Sequence, residues 1–205
     1  MLNKTLLPVS YLAPISYYAI LSQNPNCFFE FHENFVKQSI RNRSVIYGAN
    51  GKLMLTIPKK REKNNLKTSI NNIKISYDER WQQEHWNAIE SSYNSSPFFK
   101  YYKDRIKPFF NFKEPYLITF NIKLQQTILN LLNIKVKFSS SSSYIKNGNF
   151  IDYRNNNFES KKNKLYDQVF MEKHGFIPNL SIIDLLFNLG PETSDYLLDF
   201  DVKSL

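Results

Sequence analysis

Two β-rich runs separated by one short helical pattern occupy the first 32 residues, and that order constrains the fold more than any other feature. Leu6-Leu7-Pro8-Val9-Ser10-Tyr11-Leu12 reads as a strand. Pro14 suits the first turn of a helix carrying Tyr17, Tyr18, Ile20 and Leu21, which Asn24-Pro25-Asn26 breaks. Cys27-Phe28-Phe29-Glu30-Phe31-His32 is β-rich again. Strand, helix and strand in so few residues is how an α/β domain begins.

From Arg43 to Ile57 the sequence predicts a hairpin, because Asn50-Gly51 tolerates the positive φ angles of a tight turn. Ile73-Lys74-Ile75-Ser76-Tyr77 alternates like a short strand. Asp78 is placed to cap a helix through Trp81, His85, Ile89 and Tyr93 that stops before Pro97. Phe98 to Phe110 predicts a second, aromatic helix. Pro115 to Leu132 predicts a third, with Leu117, Phe120, Leu124, Ile128 and Leu131 on one face. Five consecutive serines (Ser139 to Ser143), an Asn147-Gly148 turn and the unpatterned stretch from Asn155 to Lys164 read as a mobile loop near 139–164. Ser181 to Leu189 is apolar nearly all round, which marks a buried closing helix ended by Gly190-Pro191. The expected fold is α/β: a mixed sheet with an Asn-Gly hairpin and a helical central and C-terminal part, in one domain over residues 1–205.

Composition removes several chemistries. A single cysteine, Cys27, allows neither an internal disulfide nor a thiolate metal site, and its run of phenylalanines marks it as a core residue. Five scattered glycines form no phosphate loop, and Gly-x-Ser-x-Gly is absent. No histidine or cysteine stands at metal-cage spacing, so no metal site is expected, and no cofactor is identified. The net charge of +9 comes from 21 Lys against 6 Arg, alongside 24 Asn and 19 Ile, the residues that AT-rich codons accumulate. The lysines are scattered, with short clusters at Lys59-Lys60-Arg61-Glu62-Lys63 and Lys161-Lys162-Asn163-Lys164. Base reading leans on Arg, so this surplus reads as a solvated surface, and no specific nucleic acid is expected as a partner. Pro8, Pro14 and three serines interrupt the apolar start, and no window reaches the ~18 apolar residues of a spanning helix. The expectation is a cytoplasmic protein without membrane insertion.

Three histidines are present, His32, His85 and His174. His32, at the end of the phenylalanine-rich strand, is placed either as a general base or as a half-buried structural group. His85 falls on the Trp81 stripe of its helix, four residues after Trp81. It is either a hydrogen-bonded core histidine or a ligand-facing one, with Trp81 or Trp86 as a stacking wall. Arg41-Asn42-Arg43 is the sharpest constellation. In an extended segment both guanidinium groups share a side, with Lys37 near in sequence, and two like charges call for an anion or for carboxylates such as Glu30, Glu33 or Asp78. Asp152 and Arg154 form a second alternating pair.

These segments resemble the WbqC-like protein family. The resemblance is carried by Ser10-Tyr11-Leu12-Ala13-Pro14-Ile15-Ser16-Tyr17-Tyr18, by His32-Glu33-Asn34-Phe35 with Lys37-Gln38-Ser39 and Arg41-Asn42-Arg43, and by Arg80-Trp81-Gln82 with His85-Trp86. Ser96-Pro97-Phe98-Phe99, Tyr166-x-Gln168-Val169-Phe170 and the long Gly175-to-Glu192 segment containing Asn179 extend it. The resemblance spans about Pro8 to Glu192. It makes Tyr11, Arg41, Asn42, Arg43, Trp81, His85 and Asn179 family-motif positions, and the family takes its name from a protein encoded among genes for bacterial surface polysaccharide.

Together these readings give an expected enzyme of surface-polysaccharide or envelope-precursor biosynthesis. It would transfer an acyl-type group on a phosphorylated or nucleotide-linked sugar, held by Tyr11, Lys37, Arg41, Asn42, Arg43, Trp81, Trp86, Asp152, Arg154 and Asn179, with His32 or His85 moving the proton. The alternatives are a non-catalytic binding or assembly protein of the same pathway and a nucleotidyltransferase-like fold, whose histidine-rich phosphate loop is missing from Pro8 to Tyr18. The aromatic surplus would equally line the interface of a homodimer.

Overall fold

A computed structural model describes residues 4–24, 26–61, 68–136, 139–146, 148–160 and 164–205. Pro25, Glu62-Lys63, Asn147 and Lys161-Lys162-Asn163, which figure in the sequence reading, lie outside them.

The opening elements are β1 (Lys4–Pro8), α1 (Ile15–Gln23) and β2 (Cys27–Glu30), and the two strands pair in parallel from Thr5 opposite Cys27 to Pro8 opposite Glu30. Two short strands complete this sheet. They are β5 (Ser139–Ser140) beside β2 and β6 (Phe150–Asp152) beside β1, both parallel, in the order β5-β2-β1-β6. Both lie in the stretch read as a loop. Strands of two and three residues, one made of serine, are too short to show an apolar period.

The hairpin forms as β3 (Arg43–Gly48) and β4 (Gly51–Thr56), antiparallel, with Arg43 opposite Thr56 and Gly48 opposite Gly51. Its turn sits one residue earlier than the Asn-Gly pair suggests. Ala49 and Asn50 are the central residues, and only Gly51 takes a positive φ, +99°. A glycine in that conformation just after the turn keeps the strands in register without left-handed geometry at the turn's centre.

The helical part comprises α2 (Trp81–Tyr93), α3 (Phe99–Ile106), α4 (Leu117–Leu131), α5 (Met171–His174), α6 (Ile182–Leu189) and α7 (Thr193–Leu198). Three expectations shift. Ile73 to Tyr77 is not a strand: a 3-10 turn at Ile70–Asn72 is followed by isolated bridges of Lys74 to Tyr116 and Ile75 to Lys59. Arg80, not Asp78, precedes the first residue of α2, while the Asp78 carboxylate accepts a hydrogen bond from the Ser76 hydroxyl. The aromatic helix ends at Ile106 and tightens into a 3-10 turn over Lys107–Phe110, where Pro108 lacks the N–H a longer helix needs.

The core runs continuously from the sheet into α1, α2, α4 and α6, and Ile15 to Leu21 of α1 are buried without exception. Residues Ile182 to Phe187 of α6 are likewise all buried. Gly190 ends α6 at φ +57°, and a Cβ there would collide with the Phe98 ring, so no other residue fits without moving it. Among the described residues no helix is long and apolar enough to cross a membrane.

Candidate functional site

The parallel strands end together, and their C-terminal ends carry a cluster of buried charged groups. Glu30 terminates β2 with a fully buried carboxylate that accepts hydrogen bonds from the His32 N–H, the Ser141 hydroxyl, the Ile145 N–H and the Arg154 guanidinium. Arg154 also forks onto Asp152, with Nη2 2.6 Å from Oδ2, and lies over the Tyr144 ring. Beside them Arg41, 3% exposed, grips Glu33 through two parallel hydrogen bonds of 2.6 and 2.7 Å and donates a third to the Arg154 carbonyl. Burial pushes the Glu33 carboxyl up, and the bonds from Arg41 pull it back. These groups fasten the segments that follow β2, β5 and β6 to one another.

Arg41 and Arg43 do not share a side. Residues 39–42 form a turn, in which Asn42 and Arg43 both donate their N–H groups to the Ser39 carbonyl, so the alternation of an extended chain does not hold. Arg41 points inward to Glu33. Arg43 opens β3, half-buried, and its guanidinium meets no carboxylate among the described residues. Its Nε is fully buried without an acceptor.

Arg43 lines a cavity of about 480 Å³. The floor is the β1-to-α1 connection (Leu12, Pro14) and the residues before α6 (Pro178, Asn179, Ser181). One wall is the hairpin face that carries Arg43, Val45, Lys52 and Met54, which the register places on the same side. Asn157 and Glu159, which follow β6, and Gln38 and Ser39 also line the cavity. Residues that follow the neighbouring strands β1 and β6 thus line one cavity beyond the C-terminal edge of a parallel sheet, where α/β folds bind ligands.

Backbone strain gathers at the same place. Of the five described non-glycine residues with positive φ, Leu12 (+41°), Gln38 (+56°) and Asn179 (+54°) line the cavity, and Phe158 (+57°) lies between its Asn157 and Glu159. The fifth, Asn133, ends α4, an ordinary place for it. A leucine in the left-handed region costs about 1–3 kcal/mol and persists only where neighbours hold it. Here the Leu12 carbonyl accepts from both the Ser44 and the Ser181 hydroxyls, at 2.8 and 2.9 Å.

Asn179 supplies the cavity floor by capping a helix from a distance. Pro14 at the start of α1 has no capping side chain, and the Asn179 Oδ1 instead accepts from the Ser16 N–H at 2.9 Å. Its Nδ2 donates to the Phe158 carbonyl, while Leu180 and Ala13 exchange main-chain bonds with the first residues of α1 and α6. Asn179→Ala should destabilise the protein by about 1–2 kcal/mol, read as a lowered urea midpoint. An unchanged midpoint would show that water caps α1 equally well.

The remaining sequence candidates lie elsewhere. His85 is buried against Trp81, its Nδ1 hydrogen-bonded to the Tyr11 hydroxyl at 2.9 Å. Trp81 donates to the Ser76 carbonyl and packs on Phe120, and Trp86 stacks on Phe99, so neither ring faces the cavity. His32 is not on a strand face, because β2 ends at Glu30. Its two ring nitrogens meet the Ser141 carbonyl and the Asn71 amide. Asn42 donates to the Ile57 carbonyl, and Lys37 is exposed beyond the rim. Cys27 is buried, its thiol pushed up to about 12 by desolvation, which removes it as a nucleophile.

Lys52, Gln38 and Glu159 were not singled out from sequence. For Lys52 a signal existed, since a two-residue turn sets it opposite Tyr47 and on the Arg43 face; for Glu159 there was none. Among the described residues no three His, Cys, Asp or Glu side chains gather as metal ligands. No curated protein and no solved structure matches the chain. A family model does match, over residues 10–154 and 151–196, and so the motifs that build both the Arg41–Glu33 pair and the Arg43 cavity are those of a chain that belongs to the WbqC-like protein family.

Proposed function

We propose that the cavity at the ends of β1 and β6 binds a phosphorylated or nucleotide-linked sugar, and that the protein transfers an acyl-type group on it in polysaccharide-associated biosynthesis. Family membership supports the biosynthetic setting only in outline. The observation that carries the reading is Arg43. A half-buried guanidinium that lines the cavity and meets no carboxylate among the described residues is a charge without a counter-ion, and a phosphate oxygen is a partner that its planar fork fits. Lys52 on the same hairpin face adds a second positive charge. The volume falls within the range of small-molecule sites.

Titration calorimetry with sugar 1-phosphates and nucleotide-linked sugars tests this. Arg43→Gln should weaken binding about 10- to 100-fold, the worth of a charge-assisted hydrogen bond. Without ligand the variant should melt at the same temperature as wild type or higher, since it sheds an unpaired charge. Equal affinity of the two proteins, or binding of no member of the panel, would discard the reading. One observation favours a non-catalytic binding protein instead: no histidine lines the cavity. Binding without turnover in the presence of acyl donors would decide for that alternative.

A further inference from the structure

The charged groups at the sheet ends are matched with care, except in the cavity. Arg41 has Glu33, and Arg154 has both Asp152 and Glu30. Arg43 and Lys52 on the hairpin wall and Glu159 on the wall that follows β6 have no oppositely charged partner among the described residues. The two walls do not neutralise each other, for no Arg43 or Lys52 nitrogen comes within salt-bridge distance of the Glu159 carboxylate. One hollow therefore offers two positive groups and one negative group that do not neutralise each other, along with neutral surface from Leu12, Val45 and Gln38.

A ligand with only an anionic group would satisfy the hairpin wall and bring its charge towards Glu159 uncompensated. A ligand with a second, positive group satisfies both. We infer that the sugar bound here carries an ammonium group as well as a phosphate, and that Glu159 is the specificity-determining residue that receives it. This deepens the anion-site reading and rests on it, naming the substrate class as an amino sugar phosphate or a nucleotide-linked amino sugar.

Discrimination between these walls is a difference of affinities between two ligands alike in everything but the amine. Titration calorimetry compares amino sugar 1-phosphates bearing the amine at carbon 2, 3 or 4, and UDP-glucosamine, each with its hydroxyl parent. EDTA is present so that no divalent cation can bridge phosphate and carboxylate. Because Glu159 is exposed, its pair with an ammonium is screened, and the amine should be favoured by roughly threefold to fivefold in at least one pair. Glu159→Gln should abolish that preference and bind the hydroxyl parent somewhat more tightly than wild type does, because the phosphate no longer meets the carboxylate charge. Equal binding of every pair, with Arg43-dependence retained, would overturn the amine assignment and leave the anion site standing. A preference that survives Glu159→Gln would overturn the role of Glu159. Loss of all Arg43-dependent binding would remove the anion-site reading and this inference together.

Discussion

Arg41→Met should cost about 3–5 kcal/mol of folding stability at pH 7.5, the penalty for leaving a buried carboxylate without its partner. Glu33 and Arg41 are both more than nine-tenths buried, and the guanidinium also reaches the Arg154 carbonyl, so its removal disturbs the network that ties the ends of β2 and β6 together. The sign of the pH dependence follows from Glu33. Burial already raises its carboxyl in the intact protein, and loss of Arg41 raises it further, so the variant's folded state takes up a proton more readily than its unfolded chain. The deficit should therefore shrink as pH falls. Glu33→Gln combined with Arg41→Met should recover much of the loss, because it removes the orphaned charge. Urea unfolding of the two single variants and the double variant measures the coupling. A single variant within ~0.5 kcal/mol of wild type would mean that the pair contributes nothing.

Much of the fold was legible because its signals are local. The apolar run of Ile182 to Phe187 is buried as its composition requires, and the α1 pattern beginning at Pro14 forms within one residue of its expected start. What escaped was non-local. β5 and β6 are strands only because β2 and β1 lie beside them, and no two- or three-residue segment announces that. Placing His32 on a strand face assumed that β2 continued, whereas Glu30 ends it by collecting donors from the segments around 141, 145 and 154. The expectation that Arg41, Arg43, Trp81 and His85 would converge rested on an extended Arg41-Asn42-Arg43. A turn anchored on the Ser39 carbonyl separates the two guanidinium groups, one into the core and one into the cavity. The cavity's strained residues were equally invisible, since nothing in a leucine at position 12 discloses a left-handed backbone.

The same Arg41 and Arg43 explain why a charge reading of sequence divides at this site. Both are positive, and both lie in family-motif segments. Only burial beside Glu33 makes one structural, and only the missing carboxylate makes the other available. That distinction depends on which side chain a fold places opposite each guanidinium.

His85 is expected to stay neutral down to about pH 4 and to make the folded protein acid-sensitive between that pH and about 6.5. Desolvation lowers its pKa to about 4 from an ordinary 6.5, against a raising hydrogen bond to the Thr56 main chain. Burial holds the Tyr11 phenol protonated, and its hydroxyl is hydrogen-bonded to Nδ1 of the neutral ring. Below 6.5 the unfolded chain binds a proton that the folded state refuses until about 4, so stability falls through that window by ~3 kcal/mol, at 1.36 kcal/mol per pH unit. Above 6.5 His85 contributes no pH dependence. Glu33 and Asp184, whose carboxyls burial raises, act in the opposite direction as acid is added, which is why wild type alone is a poor gauge. The difference between wild type and His85→Gln isolates the imidazole: the stability advantage of wild type at pH 7.5 should shrink by about that amount at pH 4. Nitrogen NMR of the same protein should show a neutral imidazole, with one ring nitrogen unprotonated, at pH 6. Titration of His85 near 6.5 would place it in contact with water and reopen it as a proton donor. Titration near 4 would confine it to holding Tyr11, and through Tyr11 the strained Leu12, against the cavity floor.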